Sequence, residues 1–386
     1  MKCSFLSRAI LLFLSLCATQ GAWAQTTDTW LGTAGTFTWS TQANWASGSA
    51  PNLTGDSLAF SGTYANTASQ NDLGAASFAN IVFNSGAGSV SITSKSGSTL
   101  AVTSTITDNS ANVETFNTAL TLGGNVTMTT GAGANLSFLG KVSGSKSVTL
   151  TGTGTVTMAG GGVANTYTGG TNVNGGTLLV TTTATAGGTG TGSVNVSNGA
   201  TLGGSGVIAP TVANSKVTMA AGSILASGMA GSSASGLTLA GNGTTGFLTL
   251  ASGAAGTALD FTLGAGNAAS TLKLTASFAN EVAGLSGNTF NFADLTAGSL
   301  STGEYSLILA DSSAAVFQGL GLGTLSGFTL TGLSGYTAQL ELNTVGGNEA
   351  LQLDILSAAP EPGTWALALS GLGLLAVLRR RAPKLS

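Results

Sequence analysis

The side chains that could do chemistry in this chain are carboxylates, and they are gathered toward its two ends. Acid/base cleavage of a sugar chain needs two carboxyl groups about 5 to 9.5 Å apart. No Asp or Glu occurs between Glu114 and Asp260, so the middle of the chain cannot hold such a pair. None of the remaining candidates has the spacing of a catalytic motif, and we interpret each as a turn residue or a solubilising charge. The candidates are Asp56, Asp72, Asp108, Glu114, Asp294, Glu304 and Asp311.

Other classes of site are excluded by residues that the sequence lacks. There is no His, and the two Cys residues, Cys3 and Cys17, both lie near the N-terminus. The body therefore has no Ser-His-Asp or Cys-His nucleophile and no usual set of zinc ligands. Its glycine-rich turns lack the Asp of calcium-binding repeats and the Lys of phosphate-binding loops. We predict no catalytic, cofactor or metal site and no enzyme activity.

Charged residues are scarce, and their balance is acidic. Only 6% of the residues are charged, against a typical value of about 25%. Between Gln25 and Pro360 there are five Lys, no Arg and 13 acidic residues, which gives a net charge of −8. Such a body is not expected to bind nucleic acid. Neutral sugars or protein surfaces, contacted through hydroxyl and amide groups, are the partners that remain.

Residues 1–24 have the three parts of a secretory signal peptide. A positive start precedes an apolar run over residues 9–16, and small residues occupy the −3 and −1 positions of a cleavage site. The alternative is lipidation at Cys17, but the bulky Leu16 precedes it where a small residue is expected. We therefore predict cleavage by signal peptidase after residue 24. The residues of this site are Ala22, Ala24 and Gln25.

The C-terminal residues contain a Pro-Glu-Pro tripeptide, an apolar run and a basic cluster, in that order. The run over residues 365–378 gives about 21 Å of helix. It can cross a hydrocarbon core of about 30 Å only when the flanking residues are counted. Arginines after the run place the C-terminus in the cytoplasm and the body outside. The tripeptide is Pro360, Glu361 and Pro362, and the basic cluster is Arg379, Arg380 and Arg381.

This order of parts resembles the PEP-CTERM sorting signal of Gram-negative bacteria. In that family an exosortase, a membrane-embedded transpeptidase, recognises the tripeptide and processes the protein during export. The resemblance implies that residues 365–378 form a single transmembrane helix and that the three arginines are a membrane-retention signal. It also implies that the protein is anchored on the outer side of the membrane and reaches the cell surface or the medium after processing. It specifies an address and a processing enzyme, without an activity.

Between the two ends, apolar and polar residues alternate over four to seven positions, as in residues 89–93, 147–151, 154–158 and 192–197. Alternation of this kind, rich in Val, Ile and Thr and broken by Gly-containing turns, predicts short strands. Leucines that recur at steps of roughly 20 to 30 residues predict the coils of a β-solenoid. The row is Leu100, Leu122, Leu150, Leu178, Leu202, Leu225, Leu248 and Leu272. We therefore predict an all-β chain, a parallel β-helix with apolar residues inside and ladders of Thr, Ser and Asn outside.

One stretch of the body contains a characteristic sequence motif. It reads N-T-Y-T-G-G-T-N-V-N-G-G-T-L over residues 165–178, and a second glycine-rich strand pair follows. Residues 165–208 thus resemble the autotransporter-associated β-strand repeat, which marks β-helical passenger domains of secreted proteins. The resemblance implies architecture and export, and it brings no catalytic residue. Autotransporters end in a β-barrel translocator, whereas this chain ends in the sorting signal.

Composition divides the chain into consecutive parts. Trp30, Trp39 and Trp45 lie close together near the start of the body, where they could stack on sugars or seal the first coil, and we favour the seal. Toward the other end, charge and aromatic residues return, which predicts a compact β region that closes the stack. The predicted parts are 1–24 signal peptide, 25–96 N-terminal β-cap and first strands, 97–284 β-helical repeats, 285–356 C-terminal β region and 357–386 sorting signal.

Two functions fit these observations. The first is an exported, non-enzymatic structural or adhesin-like protein of the cell surface or extracellular matrix, associated with exopolysaccharide in a biofilm. The alternative is a carbohydrate-active enzyme with terminal carboxylates, since β-helical polysaccharide lyases and glycosidases resemble the predicted architecture. Two carboxylates that share a concave groove on the solenoid would favour the enzyme.

Overall fold

The computed structural model describes residues 25–358, apart from residues 65–66, 184–186, 229–230, 254–255 and 276–278. The described part is all-β, with 31 strands and three short 3-10 helices. No helix in it is long and apolar enough to cross a membrane. The predicted transmembrane helix falls outside the described residues. So do Ala22 and Ala24, Pro360, Glu361 and Pro362, and Arg379, Arg380 and Arg381.

The strands are short and follow one another through tight turns. In chain order they are β1 (Thr27–Trp30), β2 (Ser57–Phe60), β3 (Ala68–Asn71), β4 (Ala75–Phe83), β5 (Ser91–Ser94), β6 (Thr99–Asp108), β7 (Val113–Asn117), β8 (Leu120–Leu122), β9 (Val126–Thr130), β10 (Asn135–Phe138), β11 (Val142–Gly144), β12 (Val148–Gly152), β13 (Thr155–Met158), β14 (Thr171–Val173), β15 (Thr177–Val180), β16 (Val194–Val196), β17 (Thr201–Gly204), β18 (Val207–Ile208), β19 (Val217–Met219), β20 (Ile224–Ser227), β21 (Thr238–Ala240), β22 (Leu248–Leu250), β23 (Ala258–Leu263), β24 (Leu272–Thr275), β25 (Val282–Ala283), β26 (Thr289–Asp294), β27 (Gly303–Ala310), β28 (Gly323–Leu325), β29 (Thr329–Thr331), β30 (Tyr336–Val345) and β31 (Asn348–Ala358). The 3-10 helices are Gln42–Asn44, Gly160–Gly162 and Ala265–Asn267.

The strands form two long parallel sheets and a third, mixed one. Sheet A runs β1-β2-β4-β6-β9-β12-β14-β16-β19-β22-β25; β8 also pairs with β6, and β11 pairs with β8. Sheet B runs β3-β5-β7-β10-β13-β15-β17-β20-β23-β26-β29. Sheet C adds β18, β21, β24 and β27 in parallel, and then β31, β30 and β28 in antiparallel order. The all-β prediction is confirmed, and the stacked parallel sheets are consistent with a β-helix.

The coils lengthen along the chain. In an early coil of sheet B, Asn135 pairs with Thr155, whereas in the last coil Thr289 pairs with the more distant Thr329. The lengthening begins beyond Ile224, which pairs with Ala258, one coil after the first strand of sheet C, β18, has appeared. Each later coil also contributes a strand to sheet C. The stacking begins with β1 and continues to β29, across both predicted boundaries at residues 96–97 and 284–285.

The predicted row of leucines is right over one stretch and wrong elsewhere. Leu178, Leu202 and Leu225 do occupy successive coils of sheet B. Leu122, however, pairs with Val102 instead of continuing from Leu100. The other members of the row are divided between sheet A and sheet C. All three sheets turn alternate apolar residues inward, so leucine spacing alone cannot say which sheet a residue joins.

The core is made of inward rows in which each residue rests on its counterpart in the next coil. One row of sheet A consists of Ile106, Met128, Leu150, Val173, Val196, Met219 and Leu250, all buried. The corners of the coils come so close that some allow only glycine. A Cβ on Gly124 or on Gly140 would overlap the backbone of the preceding coil at Thr103 or Thr118.

Candidate functional site

The three tryptophans near the start of the body are buried. Trp30 and Trp45 meet edge to face with ring centroids 5.0 Å apart, and Trp39 and Trp45 do so at 6.2 Å. The Trp39 indole Nε1 donates a hydrogen bond to Ser69 Oγ (2.7 Å), and the Trp45 Nε1 donates to the Trp39 carbonyl (2.7 Å). With no exposed ring face, these indoles cannot stack on a sugar. They close the first coil.

Three of the predicted carboxylate candidates serve as turn residues. Asp56 accepts hydrogen bonds from the backbone N–H groups of Thr26 and Asn52. Asp72 accepts from the N–H and the hydroxyl of Ser40, and Asp294 binds its own turn at Thr296 and Gly298. Of the other two C-terminal candidates, Glu304 lies on β27 and Asp311 is exposed just after that strand.

The structure encloses two pairs of carboxyl groups, and it places a third pair, Glu304 and Asp354, opposite each other on β27 and β31, where Glu304 is exposed and Asp354 is half-buried. Asp28, which the sequence analysis missed, lies beside Asp56, and each is 6% exposed. Burial raises the pKa of Asp28, a hydrogen bond from Ser47 partly offsets this, and Asp56 raises it further. The second enclosed pair, Asp108 and Glu114, has no exposed surface. A polysaccharide cannot reach either enclosed pair in this conformation.

Glu114 is the second residue of β7 in sheet B, directly after the turn that leads the chain from sheet A. Its carboxylate accepts hydrogen bonds from the Val90 N–H (2.7 Å) and from Ser110 Oγ (2.8 Å). Asp108 accepts the Ser110 N–H at 3.0 Å. Burial raises the pKa of Glu114 to about 7, hydrogen bonds from Ser110 and Val90 act against the rise, and Asp108 adds to it. These hydrogen bonds connect β7 to the Ser110 turn and to Val90 on the preceding coil, and neither carboxylate faces solvent.

A pocket of about 550 Å³ lies on the outer face of sheet B, near Ala226 and Asp260. The coils become longer at this point of the chain. Asp260 is the only carboxylate among the residues that line the pocket. Its Oδ1 accepts a hydrogen bond from Asn291 Nδ2 (2.7 Å), and the Asn291 side-chain oxygen accepts one from Thr331 Oγ1. Burial raises the pKa of Asp260, and the bond from Asn291 opposes this. The pocket therefore does not hold the two carboxyl groups that glycosidic cleavage needs.

The outer face of sheet A carries an unbroken column of polar side chains, which we call the sheet A ladder. Each member pairs in register with the next one along the solenoid. The ladder consists of Ser57, Asn80, Thr105, Thr127, Thr149, Asn172, Asn195, Thr218 and Thr249.

Hydrogen bonds join several neighbours in this ladder. Asn80 Nδ2 donates to Ser57 Oγ at 3.0 Å, and Thr105 Oγ1 donates to Asn80 Oδ1 at 2.7 Å. Asn195 Nδ2 donates to Asn172 Oδ1 at 3.0 Å. A second column lies two residues further along each strand; it includes Thr107, Thr129 and Thr151, and then Asn174 and Ser197.

The ladder is a flat, uncharged array with a fixed repeat. Adjacent strands lie about 4.8 Å apart, and residues two apart on a strand lie about 6.6 Å apart. Its hydroxyl and carboxamide groups both donate and accept hydrogen bonds. None of the nine ladder residues is charged, and the range between Glu114 and Asp260 contains three Lys and no acidic residue. This chemistry suits a neutral, polyhydroxylated chain that runs along the solenoid axis.

In residues 165–178, the stretch that resembles the repeat, polar side chains join neighbouring coils. The buried Asn165 accepts the Val142 N–H of the preceding coil (2.7 Å) and donates to the Gly188 carbonyl of the following one (2.6 Å). Tyr167 is fully buried and shares a hydrogen bond with Thr171 Oγ1 (2.7 Å). These hydrogen bonds account for Asn165, Tyr167 and Thr171 in the repeat-like sequence, because the three residues join stacked coils.

The last described residue, Ala358, ends β31 and pairs with Tyr336 at the start of β30. The chain therefore leaves the solenoid at its C-terminal end. Residues 358–382 match the PEP-CTERM protein-sorting motif. None of the curated proteins matches the chain. The PEP-CTERM motif starts where the solenoid ends, and it includes Pro360, Glu361 and Pro362 and the three predicted retention arginines.

The PEP-CTERM motif indicates an exported protein that is first anchored in the membrane and then processed by an exosortase. The match does not extend into the body, so the resemblance of residues 165–208 to the autotransporter-associated repeat stays a prediction. Signal-peptide cleavage between Ala24 and Gln25 also stays a prediction.

Proposed function

We propose that this protein is a non-enzymatic β-solenoid of the cell surface or extracellular matrix, and that it binds neutral exopolysaccharide along the sheet A ladder. The observation that carries the proposal is the ladder itself. It has nine uncharged polar residues in register on one face, of which all but the buried Ser57 have exposed surface, and their groups both donate and accept hydrogen bonds.

The arrangement of the carboxylates supports a binding function over a catalytic one. The pairs Asp28/Asp56 and Asp108/Glu114 are enclosed, and Asp260 lines its pocket without a second carboxylate. A retaining or inverting glycosidase needs two carboxyl groups on either side of the bond that it cleaves. The accessible pair, Glu304 and Asp354, lies on neighbouring strands of sheet C, and neither residue lines the pocket that holds Asp260.

The PEP-CTERM motif supports a location outside the cell for this function. After removal of the leader by signal peptidase, the C-terminal helix holds the body on the outer side of the membrane of a Gram-negative cell. The exosortase then processes the protein at Pro360-Glu361-Pro362, and the rod enters the polysaccharide layer of the biofilm. A body without Arg and with a net charge of −8 suits a neutral partner and excludes nucleic acid.

Replacing three ladder hydroxyls tests the binding proposal. The variant combines Thr105→Val, Thr127→Val and Thr149→Val, which keep the shape and strand preference and remove the polar group. The loss of up to three hydrogen bonds is expected to weaken retention by the cell's own exopolysaccharide in affinity electrophoresis about tenfold or more.

The matched control makes the same change on the outer face of sheet B. It combines Thr155→Val, Thr177→Val and Thr201→Val, three half-buried threonines on consecutive coils. This control is expected to bind as the unmodified protein does. Equal retention of both variants and the unmodified protein would show that the ladder is not the binding face.

Replacing Pro360, Glu361 and Pro362 with Ala tests the sorting proposal separately. The intact mass of the protein isolated from the cell envelope is expected to increase, because the exosortase no longer processes it. An unchanged mature mass would contradict processing at this motif.

A further inference from the structure

The C-terminal end of the solenoid is covered by an exposed, uncharged stretch, residues 318–336, which we call the terminal layer. It contains β28, β29 and the turns around them, and none of its residues is buried. No charged residue occurs between Asp311 and Glu341. Leu322 is 67% exposed. Further apolar side chains of the layer are only partly buried: Leu320, Leu325, Phe328, Leu330 and Leu333.

The terminal layer is also the open end of two sheets. Among the described residues, β29 is the last strand of sheet B and β28 is the last strand of sheet C. Soluble proteins usually protect such edges with charges or a covering segment, since an apolar edge invites association. They rarely leave large apolar patches on the surface without a partner. The terminal layer has neither charges nor, in the described part of the chain, a covering element.

The chain itself limits what can cover this layer. Ala358 lies opposite Tyr336, the last residue of the layer. Trp365, where the apolar run of the sorting motif begins, lies only seven positions further along the chain. A segment of this length spans at most about 25 Å when fully extended. While the tail is in place, Tyr336 therefore stays within about this distance of the point where the chain is proposed to enter the membrane. Leu322 precedes Gly323, which pairs with Leu342 toward the other end of β30, so the layer extends away from this point.

We propose that the terminal layer rests on the outer surface of the membrane, with Leu322 and its apolar neighbours in the lipid headgroup region, until the tail is cut. The proposal rests on the membrane-anchored stage of the proposed function. The partner is a lipid surface, and a zwitterionic one is sufficient, because the layer has no Lys or Arg to attract anionic lipids. It also has no acidic residue that anionic lipids would repel.

Quenching of tryptophan fluorescence by brominated lipids tests this contact in the full chain. The protein is reconstituted, one copy per disc, in phosphatidylcholine nanodiscs with bromine on the acyl chains near the headgroups. In a Trp365→Phe background, the probe is Leu322→Trp. The leader, which contains Trp23, is removed beforehand. The native Trp30, Trp39 and Trp45 are buried at the other end and give a constant background. The new tryptophan is expected to lose most of its emission in brominated discs.

The matched control is Val163→Trp, which places a probe at a 53% exposed position in the middle of the solenoid. It is expected to keep its emission. Equal emission changes for the two probes would overturn the proposal. So would an unquenched Leu322→Trp accompanied by dimers of the detergent-solubilised chain, which would show that a second copy covers the layer.

The chain with Trp365 retained separates this proposal from the proposed function. Quenching of Trp365 without quenching of Leu322→Trp would leave the anchor intact and overturn the docking alone. An unquenched Trp365 would contradict the anchor and the docking together. Neither result depends on the sheet A ladder, whose binding to polysaccharide is measured independently.

Discussion

The two ends of the solenoid face the same physical problem and differ in how they are built. At each end the apolar interior has no further coil to rest on. At the N-terminal end, Trp30, Trp39 and Trp45 fold over the first coil and have 2% or less of their surface exposed. At the C-terminal end, residues 318–336 contain no buried side chain.

This difference indicates that the ends have different surroundings. A stack of coils is stable only if its terminal coils are capped or covered. The tryptophans supply an internal cap at the end that points away from the sorting motif. The open end lies next to the sorting motif, where the membrane can take the place of a cap. The following predictions test how far the two ends differ, from the largest effect to the smallest.

Removing an indole should destabilise the first coils strongly. Trp39→Ala is expected to lower the free energy of opening of β1–β4 by about 3 to 5 kcal/mol, because a large buried ring is lost from contact with Trp45 and Phe78. Native-state hydrogen exchange measures this. The matched change at the other end, Leu322→Ala, is expected to alter the opening of β28 and β29 by less than about 0.5 kcal/mol. Similar losses at both ends would contradict the comparison.

Acid should stabilise the N-terminal coils more than the C-terminal end. Burial raises the pKa of Glu114 from its ordinary value of 4.5 to about 7. The folded state therefore holds this proton more tightly than the unfolded state does. The stability that Glu114 contributes is complete below about pH 4.5 and is lost as the pH rises through 7. The raised pKa of its neighbour Asp108 acts in the same direction.

The expected change for Glu114 is up to about 3 kcal/mol in the opening free energy of β5–β7, measured by hydrogen exchange at pH 4.5 and pH 8. Glu114→Gln should flatten most of this dependence. β28 and β29 contain no acidic residue, and their nearest acidic neighbours are the Glu341 that faces Thr324 and the Asp260 that bonds to Asn291, so their dependence should be smaller than that of β5–β7. If Glu114→Gln kept a pH dependence of the same size, groups other than Glu114 would cause it.

Local sequence predicted the strands of this fold well, because each strand needs only its own alternating residues. The stretch 147–151 becomes β12 (Val148–Gly152), and 154–158 becomes β13 (Thr155–Met158). The insertion of sheet C was not predictable in this way. Its first strand, β18, has only two residues, and the lengthening of the coils after Ile224 has no local signal.

The candidate sites were predictable in chemistry and unpredictable in geometry. Ladders of Thr, Ser and Asn follow from strand alternation, but their register depends on pairings between residues a whole coil apart, such as Thr127 with Thr149. The closeness of Asp28 and Asp56 depends on the intervening chain folding as the cap. The sequence therefore offered Asp56 only as one of several isolated carboxylates and gave no signal for its partner, Asp28.

Removing one hydroxyl at the capped end should have a moderate effect. Ser69 is fully buried and accepts the hydrogen bond from Trp39 Nε1. Ser69→Ala leaves this N–H without a partner inside the core, which is expected to cost about 1 to 3 kcal/mol in the opening of the first coils. Ser69→Thr, which keeps a hydroxyl, should preserve more stability if the added methyl fits. Hydrogen exchange of β1 and β3 reports both variants. A loss of less than about 0.5 kcal/mol for Ser69→Ala would mean that water reaches the indole.

The corresponding change at the open end should have the smallest effect. Thr331 Oγ1 donates a hydrogen bond to Asn291 Oδ1 on the preceding coil. Like the Ser69 hydroxyl it bonds to a neighbouring coil, but Thr331 is exposed. Water can replace its hydroxyl, so Thr331→Val is expected to change the opening free energy of β29 by less than about 0.5 kcal/mol. Amides of β29 should exchange quickly in detergent-free solution of the processed protein and more slowly in the nanodisc-anchored chain, since the membrane covers this edge. If β29 were as protected as β1 in both samples, the C-terminal end would have a cap of its own, and the difference between the two ends would lie only in the residues that form the cap.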